Sequence, residues 1–141
     1  MRVEIFHTLP RQAKQIRITV FMDEQGFTQE FDALDELCTH LLGYDGDLPV
    51  STCRIWQTDD GWHVGRLAVI KSHRGTGLGT RMLAAAEQYV RSQGGTALSL
   101  HAQCRAEGFY RQCGYVPFGE IDDDEGVPHV HMKKSYKEYM T

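Results

Sequence analysis

At 141 residues, with 41% hydrophobic and 24% charged side chains, the chain has the length and composition of one ordinary globular domain with a single substantial core. Its formal net charge of −4 argues against a nucleic-acid-binding protein, because affinity for a phosphate backbone needs clustered lysine and arginine. No apolar run approaches the roughly 18 residues of a membrane span, and Met1-Arg2-Val3-Glu4-Ile5-Phe6 carries no signal-like apolar core, so a cytoplasmic protein with no membrane partner is expected.

In chain order, residues 3–6 open a sheet. Pro10 suits a first helical turn, and the helix to about Val20 carries Ala13, Ile16, Ile18 and Val20. Phe31, Leu34 and Leu37 repeat at helical spacing ahead of His40-Leu41-Leu42-Gly43-Tyr44, and Asp45-Gly46-Asp47 signals a hairpin. Strands over 50–57 and 62–70 follow, joined at Asp59-Asp60-Gly61. A helix over about 77–93 presents Leu78, Met82, Leu83, Ala86, Tyr89 and Val90 as one apolar stripe and stops at Gly94-Gly95. Residues 97–101 read as a strand and 105–113 as a short helix ended by Gly114. Strands over 115–118 and 127–133 close the sheet, with the acidic 122–125 between them as an exposed loop. Strands and helices interleave without strict alternation, which predicts an α+β fold with a mixed central sheet. There is no internal repeat and no linker-like stretch, so residues 1–141 read as one domain.

Chemistry concentrates in Val69-Ile70-Lys71-Ser72-His73-Arg74-Gly75-Thr76-Gly77-Leu78-Gly79-Thr80, where three alternate glycines sit between an apolar strand and an amphipathic helix. Glycine lets the backbone take positive φ and lets a bulky anion approach the peptide N–H groups. The first turn of the helix adds unpaired N–H groups and the positive end of its dipole, so a phosphate or pyrophosphate is the natural guest, with Arg74 beside it. A Walker loop would need Gly-Lys-Ser/Thr at its end, but Gly79 is followed by Thr80 and Arg81. A dinucleotide fingerprint would place its third glycine one position later and an acidic residue about 20 positions on, where this chain has Ala97-Leu98-Ser99-Leu100-His101.

What remains, Arg74-x-x-Gly77-x-Gly79, resembles the cofactor loop of the GNAT superfamily of N-acetyltransferases. Leu67-Ala68-Val69 resembles the strand end that precedes that loop, and Phe109-Tyr110-Arg111-Gln112-Cys113-Gly114-Tyr115 resembles a second signature of the family, in the family's order. Arg17-x-x-Val20-Phe21-x-x-Glu24-Gln25-Gly26, with Asp32-x-x-Asp35 and His40, is similar to the ElaA/YjcF-like bacterial branch. The resemblance implies a mostly antiparallel mixed sheet, splayed between the strand of Leu67 to Val69 and that of Leu98 to His101. It also implies acetyl-CoA as co-substrate. The backbone of Arg74, Gly75, Thr76, Gly77, Leu78, Gly79 and Thr80 would hold its pyrophosphate. Leu67, Ala68 and Val69 would hold the pantetheine, with the Val69 N–H aimed at the thioester carbonyl.

Acetyl transfer to an amine needs an acid for the leaving thiolate and a route for the amine proton. Tyr110 matches the family's motif tyrosine, and a phenol with a pKa of about 10 keeps its proton at neutrality. A primary ammonium, at about 10.4, must lose a proton before attack. His101, ending its strand, is the first candidate base. Glu24, His40, Glu125 and His129 are rivals and candidate acceptor-site residues. The acidic run from Asp122 is either a solvated loop or an electrostatic lure for a polyamine-like acceptor. Cys38, Cys53, Cys104 and Cys113 lack paired spacing and read as reduced thiols. A zinc set of His101, Cys104, His129 and His131 lacks the close pairs of structural sites, so no metal is expected. The reading is direct transfer of an acetyl group to a primary amine of a small molecule, with a non-catalytic acyl-CoA-binding regulatory module as the alternative. No motif fixes the acceptor, the acyl length or the oligomeric state, and a homodimer stays open.

Overall fold

The computed structural model describes residues 1–136. Its strands are β1 (Arg2–Phe6), β2 (Thr39–Asp45), β3 (Leu48–Thr58), β4 (Gly61–Val69), β5 (Ala97–Gln103), β6 (Val116–Asp124) and β7 (Val127–Ser135), and its α-helices are α1 (Arg11–Arg17), α2 (Leu78–Ser92) and α3 (Glu107–Gln112). The strands are hydrogen-bonded in the order β1-β2-β3-β4-β5-β7-β6. Antiparallel ladders join β1 to β2, β2 to β3, β5 to β7 and β7 to β6. β4 and β5 run parallel, with Trp62 opposite Leu98 and His63 opposite Ser99. One parallel pair in an otherwise antiparallel sheet, with helices between strands, is the mixed α+β class that the sequence predicts.

Two compact units make up the chain, one of Met1–Trp56 with Val64–Gln88, the other of Gln57–His63 with the chain from Tyr89 onward. In the first unit, Ala13, Ile16, Val20 and Phe21 bury against Leu42, Tyr44 and Ala68, with Phe6, Leu9, Phe27 and Ile70 around them. Pro10 stands at the N-cap of α1, one place ahead of the expected helical turn. After Arg17 the coil widens into a π-helical segment over Ile18–Glu24, which keeps the consecutive Val20 and Phe21 both buried. Phe31, Leu34 and Leu37 do not form the amphipathic turn their spacing predicts. Only a 3-10 segment over Ala33–Leu37 forms, closed by a capping box between Asp32 and Asp35, and Leu37 is 78% exposed.

Charge, not apolar periodicity, fixes that segment. The Arg17 side chain is 1% exposed and donates from Nε to Glu30 Oε1 at 2.8 Å and from Nη1 to Asp35 Oδ1 at 2.7 Å. Arg54 of β3 donates to Asp32 Oδ1 at 2.7 Å and to Asp35 Oδ1 at 3.0 Å, and Arg66 of β4 reaches Glu30 Oε1 at 3.1 Å. Three guanidinium groups thus meet three carboxylates, and the pairing offsets the cost of burying charge. Burial pushes the Asp35 carboxyl up, but hydrogen bonds from Arg17 and Arg54 outweigh it and hold the group below its usual range. At Glu30 burial wins and the carboxyl is raised despite Arg17.

In the second unit, Leu98, Leu100 and Ala102 alternate along β5 into a core with Tyr115, Val130 and Met132, and Trp62 meets Tyr89 edge-on at 6.2 Å. Here the acidic segment departs from expectation. Asp122, Asp123 and Asp124 belong to β6, paired with His129, Pro128 and Val127 of β7, and an irregularity between Phe118 and Asp122 absorbs the residues between. Glu125 and Gly126, at φ 51° and 82°, make the tight turn, so cross-strand pairing overrides the poor strand propensity of aspartate. The acidic side chains nevertheless remain exposed.

Candidate active site

The glycine loop lies wholly in the first unit. After Val69 a short 3-10 turn over Lys71–His73 leads into it, held by His73 Nε2, which donates to Asp45 Oδ2 at 2.9 Å. Gly75 and Gly77 take φ of 77° and 83°, and a Cβ built on either meets nothing within 4 Å. Both positions therefore need glycine for their conformation, and the space beside them is open. The first helical bond of α2 runs from the Arg81 N–H to Gly77 O at 3.1 Å, so Leu78, Gly79 and Thr80 have no acceptor within the helix. Thr76 Oγ1 donates to His73 O at 2.6 Å and closes the loop from below. Peptide donors, open space and a helix dipole are together the features that can receive an anion.

Arg74 is engaged within this unit. Its Nε donates to Val69 O at 2.9 Å, and its Nη2 lies 2.8 Å from Glu24 Oε2. The cation expected beside a phosphate thus has a carboxylate partner, and Glu24, expected near the acceptor, holds the loop's arginine. Ahead of the loop, Arg66 takes φ 53°, rare for a residue with a Cβ, and is held there by Glu30. This interrupts the extended backbone immediately before Leu67, Ala68 and Val69. His40 is 1% exposed, and its Nε2–H donates to Asp35 O at 2.9 Å, which places it in the buried ionic cluster.

The remaining candidates lie in the second unit. Tyr110 sits on α3, edge-on to Phe109 at 5.0 Å and to Tyr115 at 6.1 Å, and its carbonyl accepts from the Tyr115 N–H at 3.0 Å. Phe109 and Tyr115 both meet the Tyr110 ring edge-on, and the ring stays partly exposed. His101 does not end its strand as expected, since β5 runs on to Gln103 through pairing with β7. It is exposed within β5, and its Nε2–H donates to Asp122 Oδ1 at 2.6 Å, which leaves Nδ1 of the neutral ring with its lone pair. That bond holds the Asp122 carboxyl below its usual range. His129 is 6% exposed and donates from Nδ1 to Val127 O at 2.8 Å, with its ring 4.8 Å from that of His101. Glu125 stands in the β6–β7 turn. The four cysteines are free, and burial pushes the thiols of Cys38 and Cys53 up to about 11 and about 12.

Sequence reasoning missed the supporting roles of Glu30, Arg54 and Arg66, and the pairing of Asp122 with His101, having read Asp122 only as part of an acidic run. Each acts through a partner distant in the chain, so local spacing carries no signal for it.

Residues 8–136 match the Acetyltransferase (GNAT) domain family. The chain is 35% identical to the uncharacterized N-acetyltransferase YjcF of Bacillus subtilis (strain 168) over 128 residues, covering 88% of this chain and 91% of that protein. It is 30% identical to Protein ElaA of Escherichia coli (strain K12), also over 128 residues, covering 85% of this chain and 83% of that one. The crystal structure of Escherichia coli ElaA superposes with a TM-score of 0.83 at 26% identity, over 95% of this chain and all of that one (100%). The chain belongs to the GNAT family of N-acetyltransferases, in the branch that includes ElaA and YjcF, with acetyl-CoA as the family's co-substrate.

Proposed function

We propose that residues 1–141 form one catalytic domain that transfers the acetyl group of acetyl-CoA directly to a primary amine of a small molecule, within a ternary complex. The observation that carries this reading is the glycine loop, with positive φ at Gly75 and Gly77 and open space beside both. In this reading the N–H groups from Arg74 to Thr80 hold the pyrophosphate and fix the thioester, and orienting both reactants is worth up to about 7–11 kcal/mol. The main chain of Leu67, Ala68 and Val69 runs along the pantetheine. The Val69 N–H meets the thioester oxygen, a contribution of roughly 3–4 kcal/mol when preorganised.

His101 Nδ1 takes the amine proton, its ring held by Asp122. The amine nitrogen then bonds to the thioester carbon, the carbon–sulfur bond breaks, and Tyr110 gives its phenolic proton to the departing thiolate; the second proton shed by the acylated nitrogen restores the Tyr110 phenol, and His101 releases its proton to solvent. Glu125 and His129 lie on the acceptor side, and the exposed acids of β6 favour a cationic amine. Glu24 and His40 support the loop and the core. Replacement of Tyr110 by Phe keeps the aromatic packing and removes only the proton, so kcat falls at least about tenfold while the affinity for coenzyme A stays within about twofold. Thiol release from acetyl-CoA and calorimetry measure the two quantities. An unchanged kcat in Tyr110→Phe contradicts the assignment.

A further inference from the structure

Three adjacent strands of the second unit bring a nitrogen- and oxygen-bearing cluster to one face of the sheet. His101 of β5 stands directly opposite His131 of β7. On β6, the irregularity after Phe118 resets the register, so that Asp122 comes opposite His129, two residues from His131 and on the same face. The rings of His101 and His131 stack at 4.4 Å with planes 19° apart. Asp122 Oδ1 lies 2.6 Å from His101 Nε2, and Asp122 Oδ2 lies 3.6 Å from His131 Nε2. One ligand atom from each of the three side chains falls within 4.8 Å of the other two. The His129 ring flanks His101 on the other side.

We propose that His101, Asp122 and His131 form a binding site for a divalent transition-metal ion of the zinc class. Four tetrahedral ligand atoms about 2.0–2.1 Å from zinc lie roughly 3.3 Å from one another, so these three need only small side-chain adjustments to share an ion. Two imidazoles and one carboxylate form a borderline donor set, which selects Zn²⁺, Co²⁺ or Ni²⁺ over the hard Mg²⁺ and Ca²⁺. The side chains of His101 and His131 are 37% and 43% exposed and that of Asp122 is 53% exposed, so an ion can enter from solvent and water completes its coordination. Each ligand rides on a paired strand rather than a loop, which holds the geometry.

Binding moves the His101 ring proton from one nitrogen to the other. The Nε2–H that bonds Asp122 is lost, its lone pair bonds the ion, and the neutral ring carries its proton on Nδ1 instead. In the transfer reaction proposed above, Nδ1 is the base. Metal binding and amine deprotonation are therefore alternative uses of one ring, a consequence that rests on that reading. The site itself does not, and the test is run without acetyl-CoA.

Tag-free protein is titrated with ZnCl₂ by calorimetry and with CoCl₂ by visible absorption. The expected result is one saturable ion per chain in the micromolar range, a cobalt spectrum without a thiolate charge-transfer band, and binding weakened at least about tenfold in both His131→Asn and Asp122→Asn. His73→Asn, which breaks the separate exposed pair with Asp45, leaves the affinity unchanged. Zinc-edge X-ray absorption on the wild-type protein is expected to show histidine with oxygen ligands and no sulfur, a reading independent of variant folding. Absence of saturable binding, sulfur in the coordination shell, or full affinity in both variants would overturn the site.

Discussion

His40 is 1% exposed, and its side chain commits Nε2–H to the Asp35 carbonyl oxygen, which can only accept. Burial is the main force on the ring and lowers its pKa below 6.5, opposed by the Asp35 carbonyl and carboxylate and reinforced by Arg17 and Arg54. The unfolded chain therefore takes up this proton at higher pH than the folded one. The stabilisation is complete above 6.5 and is lost as the pH falls from there toward the folded value. His63, also lowered by burial, acts in the same direction. Wild-type protein should lose melting temperature between about pH 7 and pH 5, and His40→Gln, which keeps a donor for the Asp35 carbonyl, should show a shallower loss while His63 retains its share. Parallel curves for the two proteins would show that His40 is not the titrating group. At this scale the family resemblance singled out Arg17, Glu24, Asp35 and His40, yet not what they do. Their partners, Arg54 and Arg74 among them, are set by the folded chain and leave no local spacing to read.

The 3-10 segment over Ala33–Leu37 is held by ions more than by apolar packing. Arg17 ends α1, and the Ala33–Leu37 segment has no apolar stripe of its own in the core. Arg17→Met keeps most of the volume and removes the charge, so Glu30 and Asp35 lose their nearest partner in a buried setting. Breaking such a pair costs roughly 3–5 kcal/mol. Denaturant unfolding should show a loss of that size with an unchanged m-value, and a loss below about 1 kcal/mol would mean that the cluster is hydrated and weak. Elements were legible wherever periodicity matched burial. The stripe Leu78, Met82, Leu83, Ala86 and Val90 is buried along α2, and the hairpin at residues 45–47 and the turn at Asp59-Asp60 appear as read. Misreading came where another force decided. Helical spacing at Phe31, Leu34 and Leu37 lost to the Asp32–Asp35 capping box, and an acidic run that looked like a loop was drawn into β6 by pairing with β7.

The whole chain carries a net charge of −4, and part of that negative charge lies along the exposed Asp122–Glu125 stretch. The strand order, in which β7 lies between β5 and β6, is invisible in the sequence because register is set by long-range pairing. The α+β class was legible, and so was the backbone of the glycine loop, because glycine at fixed spacing before an amphipathic helix states a conformational requirement directly. The orientation of His101, the proposed base, was not, since it comes from Asp122, which is 21 residues away. In the proposed reaction the peptide donors at 74–80 hold a diphosphate. Val at Gly77 places a branched side chain at φ 83° and fills the space that an anion would use. Calorimetric titration with coenzyme A tests this most directly. Saturable binding to the wild-type protein, lost in a folded Gly77→Val variant, is the predicted result; equal affinity in both would contradict it.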